Sequence, residues 1–149
     1  MNEEWKKAFG WSLYREYHDD DNLIQQRIRI PTNNSQEEFD TVIMNLAKML
    51  VDYIDISNLQ GSNRDGSINK LEDFLKDKNI KIDISGLRIL QSLRSTGVVH
   101  SKGEKYDKLR NLSLTGDVID DAKAIISNLT GFMNSLTVAI KGADYSDTI

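Results

Sequence analysis

The apolar positions of the chain fall into helical stripes. Phe39, Val42, Ile43, Leu46, Leu50, Tyr53 and Ile54 recur at steps that gather side chains on one face of a helix. Just upstream, Ser35-Gln36-Glu37-Glu38 is a capping box: the Ser35 hydroxyl accepts from the Glu38 amide, and the Glu38 carboxylate reaches back. The pattern predicts a helix that opens at Ser35 and closes before Gly61, with Asn63-Arg64-Asp65-Gly66 as a turn. A shorter helix is predicted from about Ile68 to Lys78, with Leu71, Phe74 and Leu75 facing inward. A third begins near Ile84 or Ser85, carries Leu87, Leu90 and Leu93, and stops at Gly97, a residue free to adopt the left-handed conformation that closes a helix. The longest stripe is Val118, Ile119, Ala122, Ile125, Ile126, Leu129, Phe132, Met133, Leu136 and Ile140. It predicts a last helix that opens at Thr115-Gly116-Asp117, with Thr115 as cap and Asp117 favouring the positive end, and runs to about Lys141.

Nothing alternates with period two for long enough to demand a sheet. The predicted class is all-α, an antiparallel four-helix-bundle-like domain over residues 31–149. Residues 1–30 are irregular and read as a strap or short helix that docks on the bundle. Pro31 blocks helix continuation, and Thr32-Asn33-Asn34-Ser35 forms a loop. The aromatics Trp5, Phe9, Trp11, Tyr14 and Tyr17 read as a docking face for another domain or protomer.

Composition narrows the chemistry. A length of 149 residues suits one globular domain, which can fold without disulfides or metal. The absence of cysteine excludes thiol catalysis and thiolate metal sites, and suits a reducing cytosol. Apolar runs are only a few residues long, so no segment is expected to span a bilayer. Met1-Asn2-Glu3-Glu4-Trp5 lacks the layout of a signal peptide, and the expected location is the cytoplasm. The net charge of −4 hides an uneven distribution. Between Arg88 and Arg110, Arg88, Arg94, Lys102, Lys105, Lys108 and Arg110 outnumber Glu104 and Asp107, so a basic window sits on an acidic body. That window also holds His100, one of two histidines.

Arg94 falls in the last turn of the third predicted helix, and His100 follows six residues later. From spacing alone, Arg94 complements the helix C-terminus and His100 is a loop residue packed on Val99. The string from Leu93 to Gly103, continuing to Tyr106, resembles the signature of the HEPN superfamily, small helical bundles that carry Arg, four to six variable residues, then His. The likeness extends more loosely from about Ile30 to the last helix. It departs at Ser95, where active members often carry a polar amide; a serine can still hydrogen-bond a phosphate.

The resemblance implies metal-independent RNA cleavage, without a cofactor, at a site shared by two protomers. Arg94 is then the transition-state stabiliser, His100 the general base or acid, and Ser95 an auxiliary phosphate contact. Lys102, Lys105 and Lys108 would hold the RNA backbone, and Tyr106 reads either as a base-stacking ring or as a buried structural tyrosine. The implied partners are RNA, a second copy of the chain, and an antitoxin or additional effector domain, with a role in phage defence or another stress response. The alternative is a non-catalytic module of the same family that binds nucleotide or RNA, or dimerises a larger assembly.

Two other patterns carry less. Gly61 to Glu72 resembles an EF-hand calcium loop, with Asn63, Asp65, Gly66 and Glu72 at the third, fifth, sixth and twelfth places. Gly61 stands where the first carboxylate is needed, so the segment reads as a polar interhelical turn. His18-Asp19-Asp20-Asp21 reads as a solvated acidic loop, and no phosphate-cradling glycine motif is present.

Overall fold

The cap predicted at Ser35 forms. In the computed structural model, which describes residues 1–15, 29–95 and 117–142, Ser35 Oγ accepts from the Glu38 amide at 3.3 Å. The second half of the box differs from expectation. The Glu38 carboxylate accepts from the Thr32 amide at 2.8 Å and from the Thr32 hydroxyl, so it ties the helix start to the loop behind Pro31.

Five α-helices stand among the described residues: α1 (Asn2–Phe9), α2 (Gln36–Ala47), α3 (Ser67–Asp77), α4 (Ser85–Leu93) and α5 (Val118–Gly142). The described residues contain no strand, and the class is all-α. Among them, no helix is long and apolar enough to cross a membrane. Helices α2, α4 and α5 pack on one another in pairs, and α1 lies on α5. The expected apolar stripes are the ones that are buried. Phe39, Ile43, Leu87, Leu90, Leu93 and Leu136 are all fully enclosed, and the driving force is removal of their apolar surface from water.

The helix that opens at Ser35 is shorter than its stripe implied. It passes at Ala47 into a wide π turn, Lys48–Asp52, in which the Tyr53 amide bonds the Lys48 carbonyl at 3.2 Å. The chain then extends. Arg15 N–H donates to the Tyr53 carbonyl and Asp55 N–H to the Leu13 carbonyl, at 2.9 and 2.7 Å, making one antiparallel bridge between Tyr14 and Ile54. A short 3-10 turn, Ile56–Asn58, follows. Tyr53 and Ile54 thus stay buried, as the stripe required, but outside the helix, Tyr53 in the turn that ends it and Ile54 at the bridge. Helix α3 rests on the π turn and the 3-10 turn. It ends where Asn79 takes a left-handed conformation, φ 58°.

The N-terminal aromatics belong to this chain's own core, which corrects the expectation of a face kept for a partner. Trp5 is fully buried, with ring centroids of Phe9, Trp11 and Phe74 at 4.7, 5.4 and 5.5 Å. Phe74 comes from α3, so the rings join α1 to the helix hairpin. Tyr14 is buried too, its hydroxyl donating to the Leu50 carbonyl at 3.1 Å. Tyr17 and the acidic run after His18 lie outside the described residues.

Helix α5 is capped by Asp117, whose carboxylate accepts from the Asp120 amide at 2.9 Å. The Val118 amide, another donor at the same end, is taken by Asn34 at 2.8 Å. Thr115, the expected cap, and Gly97, the expected stop of α4, lie outside the described residues.

Candidate functional site

The site grows from the π turn. Asp52 ends the π turn on the side away from the buried stripe, and half of its side chain meets solvent. The end of α4 comes alongside. Arg94 caps α4, its backbone still helical, and the helix widens there at Arg94 and Ser95. Arg94 Nη1 donates to Asp52 Oδ2 at 2.7 Å, and Nη2 donates to Gln91 Oε1 at 2.5 Å. The Arg94 side chain is 19% exposed, so the guanidinium is held in one place by two acceptors but keeps an open edge. Ser95, next in the chain, is exposed.

A second arginine reaches the same turn from the N-terminal segment. Arg15 Nη2 donates to the Asp52 carbonyl at 2.6 Å, and its guanidinium lies over the Tyr53 ring, 5.2 Å from the centroid. The backbone on either side of Arg15 is fixed. Asn2 clamps Tyr14 through both its amide groups, at 3.0 and 2.9 Å, and the bridge to Tyr53 holds Arg15 itself. Beside this arginine is a cavity of about 300 Å³ lined by Asp52, Asp55, Ser57 and Ser67 together with Val51, Ile54 and Ile56. The Asp55 carboxylate there accepts from the amide and hydroxyl of Ser57.

Of the residues singled out from the sequence, the described structure places Arg94 and Ser95 together at the end of α4. His100, Lys102, Lys105, Tyr106 and Lys108 lie outside the described residues. Sequence reasoning missed Asp52 and Arg15. Their meeting depends on pairings across more than thirty positions. It also missed Asp121, a carboxylate buried on the core-facing side of α5 between Val118 and Ile125.

The loop with calcium-like spacing is occupied by an arginine. Arg64 bonds Asp73 through Nε at 3.0 Å and Nη2 at 2.5 Å, and reaches Glu72 at 2.8 Å. Arg88 from α4 also pairs with Glu72, at 3.0 Å, and bonds Asn69. Glu72, which a calcium loop would spend on the ion, is thereby committed to two guanidinium groups. The hydrogen bond from Arg64, then that from Arg88, holds its carboxyl at about 2. Arg64 and then Ser62 do the same for Asp73, also at about 2, and the Arg64 pKa is raised in return. Among the described residues, no three His, Asp or Glu side chains gather as a metal site.

No family model, curated protein or solved structure matches the chain.

Proposed function

We propose that this chain is a HEPN-type helical bundle acting as a metal-independent endoribonuclease, with the reactive groups contributed by two copies across a two-fold axis. The observation that supports this reading is Arg94: a guanidinium at the end of a helix, fixed by Asp52 and Gln91 with an edge still open, six residues ahead of His100. In this reading His100 takes the proton from a ribose 2′-hydroxyl, and the 2′-oxygen attacks the adjacent phosphorus. The 5′-oxygen leaves and takes a proton from the second copy's His100, which enters the step as imidazolium and ends it neutral. The products are a 2′,3′-cyclic phosphate and a 5′-hydroxyl. Histidine suits both transfers because its unperturbed pKa is about 6.5. Arg94 neutralises the charge that grows on the phosphate oxygens, through a planar fork that matches them. Ser95 adds a hydroxyl beside it, and Lys102, Lys105, Lys108 and Tyr106 carry the rest of the RNA. The biological setting is phage defence or a toxin–antitoxin response in the cytoplasm.

One observation favours a second reading, a non-catalytic module that binds RNA or nucleotide, or dimerises a larger assembly. Arg94 is already paired with a carboxylate, which lowers its pull on a phosphate. RNA cleavage in EDTA separates the two. The nuclease reading expects cleavage by the purified protein and its loss in His100→Ala at unchanged melting temperature. RNA binding with no cleavage anywhere between about pH 5 and 9, a window that spans the histidine titration, selects the second reading.

A further inference from the structure

We infer that Arg15 is a second phosphate-contacting arginine, so that an RNA strand is gripped on both sides of Asp52. The inference rests on the ribonuclease reading and extends its substrate contacts to a part of the chain distant in sequence.

Two features set Arg15 apart from an ordinary surface arginine. Its guanidinium is immobilised by groups that do not cancel its charge: the Asp52 carbonyl at 2.6 Å and the face of Tyr53. Among the described residues, no carboxylate pairs with it. The nearby Asp55 carboxylate is turned to the Ser57 amide and hydroxyl. A guanidinium held by a carbonyl and a ring face, with no carboxylate partner among the described residues, has restricted rotamer freedom before any ligand arrives, which lowers the entropy cost of a phosphate contact. Its remaining N–H groups are exposed.

Its position relative to Arg94 follows from one residue. Arg15 bonds the backbone oxygen of Asp52 and Arg94 bonds the side chain of the same Asp52. One aspartate therefore links the two guanidinium groups, one through its backbone and one through its side chain, and both stand at the same turn. The cavity beside Arg15, with half-exposed Ile56 in its lining, leaves open space for a nucleotide next to this arginine.

The test uses a single-stranded 2′-O-methyl RNA oligonucleotide, which binds without being cleaved, and follows affinity against salt. Arg15→Gln removes the charge and leaves the backbone bonds from Arg15 N–H to the Tyr53 carbonyl and from Asp55 N–H to the Leu13 carbonyl, which hold the segment on the turn. The expected result is a Kd raised about tenfold at low salt and a log–log salt slope shallower by about 0.7, the loss of one single-strand phosphate contact. Arg15→Lys should restore the slope, which a purely structural role for Arg15 would not do. An Arg15→Gln protein with wild-type affinity and slope overturns this inference alone, provided that the wild type cleaves RNA and His100→Ala does not. A wild type that neither binds nor cleaves overturns both.

Discussion

Arg94 and Asp52 lie 42 positions apart in the chain and 2.7 Å apart in space, joining the end of α4 to the π turn that closes α2. A half-exposed pair of this kind contributes only about 0.5–1 kcal/mol to stability, because water competes for both charges. Its larger effect is on orientation. Gln91 supplies the second acceptor, so that the guanidinium is fixed at two points.

This separates function from folding in one experiment. Asp52→Ala should leave the melting temperature within a few degrees of wild type, since about 1 kcal/mol shifts a domain of this size by roughly 2–6 °C. In the ribonuclease reading it should lower kcat for RNA cleavage about 10- to 100-fold with little change in KM, the cost of a misplaced stabilising group. Asp52→Asn, which keeps one oxygen for Arg94, should recover part of that loss. Steady-state cleavage kinetics beside thermal melts decide it. Equal activity in all three proteins would make the pair a structural contact only.

The carboxylates around Arg64 set a pH dependence. Glu72 and Asp73 have folded values of about 2, below the ordinary carboxylate range near 4. A depressed carboxylate contributes stability that is present above its unfolded value and lost as pH falls through the folded one. Wild-type stability should therefore decline between about pH 5 and pH 2. Arg64→Ala removes the principal cause of both shifts. Its stability should be lower than wild type at pH 6, and the gap should close toward pH 2. Urea unfolding at pH 6, 4 and 3 measures this, and parallel curves would reject it.

How far the sequence reached can be judged residue by residue. The stripe Phe39 to Ile54 was legible in full as buried positions, because periodicity reports which face meets the core. It did not reveal that Tyr53 and Ile54 leave the helix. An i+4 and an i+5 closure bury nearly the same side chains, and the choice is made by the bridge to residues 13–15. Ser35 was legible as a cap because its partner is local; Glu38 turned instead to Thr32, a contact set by the path of the loop. Arg94 was singled out by the resemblance of the string from Leu93 to Gly103 to a family signature; its place at a helix end alone reads as a charge that complements the helix C-terminus. Its partner Asp52 was not legible, since nothing in the order of residues shows which carboxylate a distant fold will deliver. The Gly61–Glu72 segment was read correctly as a turn, but the missing first carboxylate was only half the reason. Glu72, the twelfth-place carboxylate, is already paired with Arg64 and Arg88.

Gly86 allows α4 and α5 to approach. A Cβ at that position would fall on the amide oxygen of Asn128, while Leu129 stays at ordinary contact distance. Asn128 is exposed, so its side chain can turn toward solvent. Gly86→Ala should then be close to neutral: the helix gains about 0.5–1 kcal/mol from the lost glycine freedom and spends a similar amount moving Asn128. In an Asn128→Ala background the same substitution should be stabilising by nearly the full gain. A double-mutant cycle by chemical denaturation tests the coupling. Additive effects would show that the two side chains do not meet.

Trp5 carries an opposing pair of effects that a substitution series can separate. Its ring is fully buried among Phe9, Trp11 and Phe74, yet its indole N–H finds no hydrogen-bond acceptor among the described residues. Trp5→Ala removes the whole ring and should cost about 3–5 kcal/mol, detaching α1 from α5 and α3. Trp5→Phe keeps most of the aromatic packing and removes a buried donor whose desolvation costs about 1–3 kcal/mol. The smaller ring loses contacts of similar worth, so this variant should fall within about 1 kcal/mol of wild type. Equilibrium unfolding of the three proteins gives the comparison. A Trp5→Phe cost approaching that of alanine would mean that the indole N–H contributes to stability instead of detracting from it.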